Sequence, residues 1–597
     1  LGLSDSAEQY SNYIAKTKEL NGKCLFGTEH GWQGDWIATY DLVSQTELKY
    51  RHSAEAYWVK DRHEADRTNC HMIIVAKTNH GRRRLNYILS MANIDGFYGK
   101  PRIDIPLLLE ENPEDFIITS ACVAGWNYSD ADEMWLKVAD HFKNNFYLEV
   151  QNHNTDKQKT LNQRIINLAR EHNLQIICGL DTHYISEEAN IERSMLLEDK
   201  KITYADEEGW YMDYPDANEI IRRFKEQGVL SEEEIYRAIM NTNVFVNECE
   251  ETVLDKSFKI PNLYPEKSYE ERVEIYKNLI MDAYEKEPIK SQERLDGINA
   301  EMNEVITSNV VDYFIYNHEL IEKAKEYGGV LTTTSRGSMG SFYTNKLLGS
   351  TTLDRFSAGI PIFYPRFLTA DRILAGQMPD EDLNCATQEP FVKAAKELIG
   401  EHGCYPLMAI EKLKAKSAWK MYARLHDVEV TTANEISNAI VKYEKAKADA
   451  EEDEEIDITD YIPKKYADLY QESIEYQGII SNFKVHACGF LMFTGDIREE
   501  IGLMSAICET TQKRTLCACV QGSYLDAYGY VKDDLLIVDT VSLTAELFDS
   551  IGRDVPTFTE LREMILDDKP TWEIYKRGIT CCVNQCERNG TRQICLQ

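Results

Sequence analysis

Short apolar runs rich in β-branched residues recur through the first part of this chain. They are CHMIIVAKT (70–78), FIITSACVAG (116–125), FYLEVQ (146–151) and LQIICGLDTHY (174–184). Each is strand-length, and helix-period stretches lie between them. SAEQYSNYIAKTKEL (6–20) is the first such helix, ahead of KCLFGTEHG (23–31), a strand running into a loop. Strands that alternate with helical connections settle side by side as βα units, so a mostly parallel sheet or barrel is expected here. From about 218 to 328 the pattern turns helical, and the segment from 483 to 545 is again β-rich, with LLIVDTVSL (535–543) as a buried-strand candidate.

A chain of 597 residues, 43% of them hydrophobic, has material for several cores; at roughly 100–200 residues per domain that is about three to five domains. Its longest apolar runs fall well short of the ~20 residues a membrane-spanning helix needs. The first residues, LGLSDSAEQY, carry neither an initiator Met nor the basic and apolar stretches of a secretory signal, and they read as the start of a fragment or a processed chain. The 15 cysteines are scattered without an export signal, so buried thiols rather than disulfides are expected. Cys581, Cys582, Cys586 and Cys595 lack the paired CxxC knuckles of a zinc module.

The net charge of −34 taken alone argues against a nucleic-acid partner. The charge is uneven, however. ADAEEDEEIDITD (448–460) reads as a solvated acidic run, whereas EKLKAKSAWKMYAR (411–424) concentrates Lys412, Lys414, Lys416, Lys420 and Arg424. A basic groove can survive on an acidic protein because salt limits surface fields to ~8–10 Å.

Two constellations carry chemistry. In the first 185 residues, groups able to bind metal follow the apolar runs: Asp5, His30, Glu55, His71, Cys122, Asp181 and His183. Imidazole, carboxylate and thiolate are ligands for zinc, manganese or iron, and the ends of barrel strands are where such groups converge. Any one of them would ordinarily be a satisfied polar side chain; their recurrence in one region makes a metal centre as good a reading. The second constellation begins with TTTSRGSMGSFYTNKLLG (332–349). There Arg336, Gly337, Ser338, Gly340 and Ser341 offer the small residues and donors that suit a triphosphate, although no GK[ST] follows as in a P-loop. GQMPDEDLN (376–384) comes next. Asp380 and Asp382 stand at i and i+2, on one face if the segment is extended, with Glu381 pointing away.

The order LSDSA, TEHG, AEAYWV, CHMIIVAK, SACVAG, DTHY resembles the PHP domain (the polymerase and histidinol phosphatase family). That resemblance implies a distorted βα barrel with a two- or three-metal phosphoesterase site. The HxH motif that opens the family is not among these residues, and Glu29 stands where relatives usually have Asp. The loop SRGSMGS followed by RFLTADRILAGQMPDEDLN resembles the palm of the bacterial C-family replicative DNA polymerases, the DNA polymerase III alpha subunits. KLKAKSAWKMYAR, KVHACG and YKRGITCCVNQCE extend the likeness along nearly the whole chain.

The polymerase resemblance implies an α/β multidomain protein. Its parts would be a PHP barrel (1–255), a palm of the polymerase beta-like nucleotidyltransferase kind (256–424 and 485–548), a helical thumb (425–484) and the start of a mainly helical fingers domain (549–597). It implies DNA-directed DNA polymerisation with two Mg2+ ions on Asp380, Asp382 and a third carboxylate. The strand LLIVDTVSL supplies Asp539 for that place, with Ile537 where relatives often carry a Lys. Asn384 stands where some relatives have another Asp. Lys484 and His486 of KVHACG join the basic segment as expected DNA contacts. The implied partners are primer–template DNA, dNTPs, a sliding clamp and other replisome proteins, and no membrane. The expected setting is the cytoplasm of a bacterium, or of a host cell if the source is a bacteriophage. Zn2+ or Mn2+ is implied for the PHP site, which could serve as a phosphoesterase, as a 3′–5′ exonuclease or as a scaffold. CHMII to DTHY leaves no room for the exonuclease insertion of one branch of the family. Relatives continue past this sequence into fingers, a clamp-binding region and an OB fold, so these 597 residues alone are expected to extend primers poorly.

Overall fold

The structure is a computed structural model. It describes residues 6–203, 209–357, 359, 362–449, 456–509, 511–581, 583 and 586–597. Asp5, Cys582 and the centre of the acidic run lie outside the described residues. The chain divides into two compact units, one of residues 1–254, 408–485 and 498–521, the other of residues 255–407, 486–497 and 522–597. Among the described residues no helix is long and apolar enough to cross a membrane.

The first unit is built on nine strands from its N-terminal part. These are β1 (Cys24–Leu25), β2 (Lys49–Tyr50), β3 (Ser53–Val59), β4 (Cys70–Ala76), β5 (Phe97–Tyr98), β6 (Lys100–Asp104), β7 (Phe116–Thr119), β8 (Phe146–Gln151) and β9 (Gln175–Gly179). Seven of them form one sheet in the order β5-β6-β3-β4-β7-β8-β9. The apolar runs of the sequence become β4, β7, β8 and β9. The sheet is mixed rather than mostly parallel: β4 runs antiparallel to both β3 and β7, while β7, β8 and β9 are mutually parallel. The reason lies in the connections. Between Val59 and Cys70 there is only a loop, too short for the crossover of a dozen or more residues that parallel neighbours need. Helices cover the sheet, and Trp58, Trp135, Phe116, Phe146, Leu85 and Ile165 meet in its core. The helix Asp156–His172 begins on Thr155, whose hydroxyl accepts from the Gln158 amide, and ends on left-handed Asn173.

The remaining strands are β10 (Asp382–Cys385), β11 (Cys404–Lys412), β12 (Ile480–Met492), β13 (Leu503–Ile507), β14 (Arg514–Ala518) and β15 (Val531–Ile537). In the second unit β10 pairs with β15 in parallel, and β15 pairs with the end of β12 antiparallel. Helices Tyr269–Lys286, Gln292–Thr307, Val311–Glu326 and Glu389–Ile399 pack with this sheet around Tyr276, Phe314, Tyr316, Phe391 and Leu535. The helical reading of 218–328 holds for most of that span, with stops at Gly228 and Ser308, but residues 248–268 carry no helix. The LLIVDTVSL strand is shorter than the apolar run. β15 ends at Ile537, and a helix, Asp539–Ser550, starts two residues on.

Candidate active site

In the first unit a cavity of about 730 Å³ opens beside the sheet, lined by His30, Glu55, Cys122, Glu149, Asp181 and His183 among others. Its centre is Glu55 on β3. His30 comes beside it because the chain at residue 30 forms a parallel bridge to residue 55, and His71 lies on the neighbouring strand β4. His30 Nδ1 is 2.5 Å and His71 Nδ1 3.0 Å from the two Glu55 oxygens. The ligand atoms of His30, Glu55 and His71 all lie within 4.8 Å of one another, the only such group among the described residues. Burial pushes the Glu55 carboxyl up, but His71 and His30 outweigh it and hold the group well below the usual range.

Cys122 Sγ approaches His71 Nδ1 at 3.5 Å. Burial, and then the charges of Asp181 and Glu55, push its thiol up. Asp181 adopts a left-handed conformation, φ 53°. His183 places Nδ1 2.8 Å from the Asp181 carbonyl oxygen, so Nδ1–H donates there and Nε2 keeps its lone pair. The His30 and His183 rings are 6.5 Å apart. Five of the seven sequence candidates thus line one cavity, and His71 joins them through its contact with Glu55. A mixed N, O and S donor set of this kind suits a transition metal. Glu149 is an acid that the strand pattern of FYLEVQ conceals. It is buried, accepts from Thr119 Oγ1 (2.6 Å) and Gln151 Nε2 (2.9 Å), and burial pushes it up to about 7.

The second unit holds the paired aspartates. Tyr313, buried in the helix Val311–Glu326, donates to the Pro379 carbonyl at 3.0 Å and fixes the turn into Asp380. Asp382 opens β10, and its Cα partner across the parallel ladder is Asp534 of β15. Directly paired residues in a sheet present their side chains on the same face, so these two carboxylates stand side by side. Lys532, two residues before Asp534 and on the same face, places Nζ 2.9 Å from Asp534 Oδ2 and 3.1 Å from Asp380 Oδ1. Burial raises the Asp382 carboxyl, as do the charges of Asp534 and Asp380, while Arg336 and Lys532 oppose them. Three carboxylates drawn together, with an ammonium already bridging two of them, fit a cation; an all-oxygen donor set fits a hard divalent one.

Asp539 is not brought to this cluster. The β10–β15 register runs from Asp382↔Asp534 to Cys385↔Ile537, so the chain climbs away from Asp382 by ~3.3 Å per residue before Asp539 is reached. Asp539 is the first residue of the following helix. The carboxylate beside Asp382 is instead Asp534, with Lys532 two residues ahead of it. Glu381 and Asp533 point to the opposite face, where both are buried. Asn384 shares the Asp382 face of β10 and is half-buried.

The Gly/Ser loop reaches the same carboxylates. Its leading segment pairs with the far end of β10, through Thr332 N to the Asn384 carbonyl (2.9 Å) and Ala386 N to the Val330 carbonyl (3.0 Å). The chain then turns at Gly337, φ 62°. A Cβ at Gly337 would stand 2.5 Å from Asp382 Oδ2, so glycine is needed for both the conformation and the approach. Arg336 and Gly337 are exposed and Ser338 is half-buried. Gly340 and Ser341 are buried instead, and the Ser341 hydroxyl donates to the Ser338 carbonyl at 2.6 Å. These two shape the loop from beneath rather than lining its surface.

The expected DNA contacts divide. Lys412, Lys414 and Lys416 are exposed at the start of the helix Ala415–Leu425, and Lys420 is half-buried. Arg424 is engaged by Asp199 at 2.6 Å, and Lys484 by Glu411 at 2.5 Å and by Glu509. His486 Nδ1 accepts from the backbone of Gly489 at 2.8 Å and of Cys488 at 3.3 Å.

Two domain families match this chain. The PHP domain family matches residues 2–153, and the family described as the bacterial DNA polymerase III alpha NTPase domain matches residues 266–537. The chain is 23% identical to the DNA polymerase III subunit alpha of Aquifex aeolicus, over 99% of this chain and 55% of that one. It is 23% identical to the subunits of the same name from Borreliella burgdorferi and Campylobacter jejuni, over 99% of this chain and 52% of each of those. The chain therefore spans about half the length of the curated relatives it matches. Domains of both families generally use divalent metal ions. A PHP domain is thus followed by a bacterial DNA polymerase III alpha domain, and the chain aligns to these relatives along nearly its whole length.

Proposed function

We propose that the intact protein is a template-directed DNA polymerase, adding dNTPs to a primer 3′-hydroxyl, and that Asp380, Asp382 and Asp534 hold its two Mg2+ ions. The observation that carries this reading is the side-by-side placement of Asp382 and Asp534 under a Gly337 turn that touches Asp382. Bound there, divalent ions supply the positive charge that acidifies an attacking hydroxyl and neutralises a leaving pyrophosphate. The chain's own residues do the rest. Asp382 and Asp534 are fixed by a parallel ladder, so their separation does not depend on loop motion. Asp380, more exposed, adapts to an incoming nucleotide. Arg336 and the turn at Gly337 and Ser338 offer a guanidinium and backbone N–H groups to a triphosphate. Lys532 neutralises two of the three carboxylates until cations or substrate phosphates redistribute the charge. Lys412, Lys414, Lys416 and Lys420 are read as phosphate contacts for primer–template DNA, and residues 425–484 and 549–597 as thumb and the start of the fingers. Partners would be a sliding clamp and replisome proteins in a bacterial cytoplasm or a phage-infected one. The test is primer extension by the intact polypeptide. Asp382→Asn should remove incorporation without altering the fold; incorporation at the wild-type rate would refute the assignment.

A second reading is supported by the His30–Glu55–His71 group: a transition-metal site of the zinc or manganese kind in the PHP cavity, serving a phosphoesterase or 3′–5′ exonuclease. Hydrolysis of a phosphoester or of a single-stranded 3′ end, lost in His71→Ala but kept in Asp382→Asn, supports it. Metal binding without hydrolysis leaves the domain as a scaffold.

A further inference from the structure

The antiparallel ladder between β12 and β15 runs from Met492↔Val531 to Gly489↔Asp534 and ends there, level with the proposed metal-holding carboxylate. Beyond that pair the two strands carry backbone groups that no longer serve each other. Gln388 takes up one such group on each strand, and His486 braces the β12 backbone at the end of the ladder. The Gln388 amide, at the entry to the helix Glu389–Ile399, donates from Nε2 to the Leu535 carbonyl at 2.6 Å and to the Ala487 carbonyl at 2.8 Å. Both of its N–H groups are used, one on each strand, and two carbonyl partners fix which end of the amide is nitrogen. On the other side, His486 Nδ1 accepts from Gly489 N and Cys488 N. A Cβ at Gly489 would stand 3.0 Å from His486 Nδ1 and 3.2 Å from Asp534 Oδ1, so imidazole and carboxylate both flank the bare Gly489 backbone.

We propose that Gln388 and His486 are positioning residues that clasp the fork where β12 leaves β15 and thereby set Asp534 for metal binding. The inference rests on reading Asp534 as a metal-holding residue. It also gives His486 a different task from contact with DNA: its Nδ1 lone pair is committed to the backbone.

The test is a Mn2+ titration of the 597-residue chain, followed by electron paramagnetic resonance, with the part of the binding lost in Asp534→Asn taken as the palm component. Gln388→Glu keeps the shape of the side chain but cannot donate, and His486→Ala removes the acceptor. Each is expected to weaken the palm component by roughly tenfold, the size usual for partners that orient a metal ligand. His486→Asn places an amide oxygen where Nδ1 stood and is expected to stay closer to wild type than to His486→Ala. A purely structural histidine would not distinguish Asn from Ala in this way. Wild-type affinity in Gln388→Glu or in His486→Ala, or equal losses in His486→Ala and His486→Asn, overturns the clasp while the metal site stands. A titration with no component sensitive to Asp534→Asn removes the metal site, and the clasp with it.

Discussion

Asp382 and Asp534 are direct Cα partners across two parallel strands, and the apolar-looking acid further along, Asp539, is the first residue of a helix. This relationship separates two aspartates that sit five positions apart in one short segment. Asp534→Asn is expected to abolish nucleotide incorporation by the intact polypeptide. Loss of a preorganised charge at a reacting centre commonly costs ~10²–10³ in rate. Asp539→Asn should lose only a helix N-terminal charge, worth about 0.3–1 kcal/mol of local stability. Single-turnover incorporation by the two variants decides between them, and the reverse ranking would return Asp539 to the site.

Lys532 makes an opposite-signed prediction. Its ammonium sits between Asp380 and Asp534, so a divalent ion there must displace or share it. Lys532→Gln should bind Mn2+ more tightly than wild type in the absence of nucleotide, because a like charge has gone. It should nevertheless incorporate dNTPs more slowly, because that charge also faces substrate phosphates. Weaker Mn2+ binding in Lys532→Gln would show that the ammonium organises the carboxylates rather than competing for them.

Much of this was legible in one dimension. The apolar runs mark β4, β7, β8 and β9, and the histidines and acids that follow them do converge on one cavity. The MPDED motif and the Gly/Ser loop are neighbours in space because residues 330–332 run beside β10. The third carboxylate was not legible, for a physical reason. LLIVDTVSL looks like one buried strand, since a continuous apolar run cannot reveal where a strand stops and a helix begins. An acid in a first helical turn complements the helix dipole and looks isolated and purposeful in the sequence. The adjacent KDD puts its first and third residues on the active face and hides Asp533 beneath, and only the pairing partner shows which aspartate is which. Gln388 and Glu149 gave no sequence signal at all. Each matters through one or two hydrogen bonds to distant segments.

The face beneath the site carries two acids, Glu381 and Asp533, that make no salt bridge among the described residues. Burial, and then the charge of Asp533, push Glu381 up to about 8, with only Ser350 opposing. Burial and the charge of Asp534 push Asp533 up to about 7, against Lys532. Folded-state values above the unfolded ones mean that the stabilising form is the protonated one. This contribution is fully present below about pH 4, where the unfolded chain also binds the protons. It is lost as pH rises through 7 and 8, at a limiting slope of about 1.4 kcal/mol per pH unit for each group. Thermal unfolding followed between pH 6 and 9 should show the midpoint falling, and Glu381→Gln should flatten that fall. A wild-type midpoint that rises over the same interval would mean that both carboxylates are ionised in the folded state.

The PHP cavity predicts a metal-dependent stability of its own. Glu55 is buried between His30 and His71, which together hold its carboxyl well below the usual range. A bound divalent ion would relieve that arrangement, because neutral imidazoles can ligate while the carboxylate supplies charge. Protein purified with Zn2+ or Mn2+ present should retain metal through gel filtration, and a chelator should lower its unfolding temperature. At a free metal concentration one hundred times Kd, the linkage is about 2.7 kcal/mol. Glu55→Gln should abolish both the retained metal and the chelator effect, since two histidines alone leave the site without its anion. Asp534→Asn should change neither, because its carboxylate belongs to a separate set of ligands. Equal chelator sensitivity in Glu55→Gln and wild type would place the stabilising metal elsewhere.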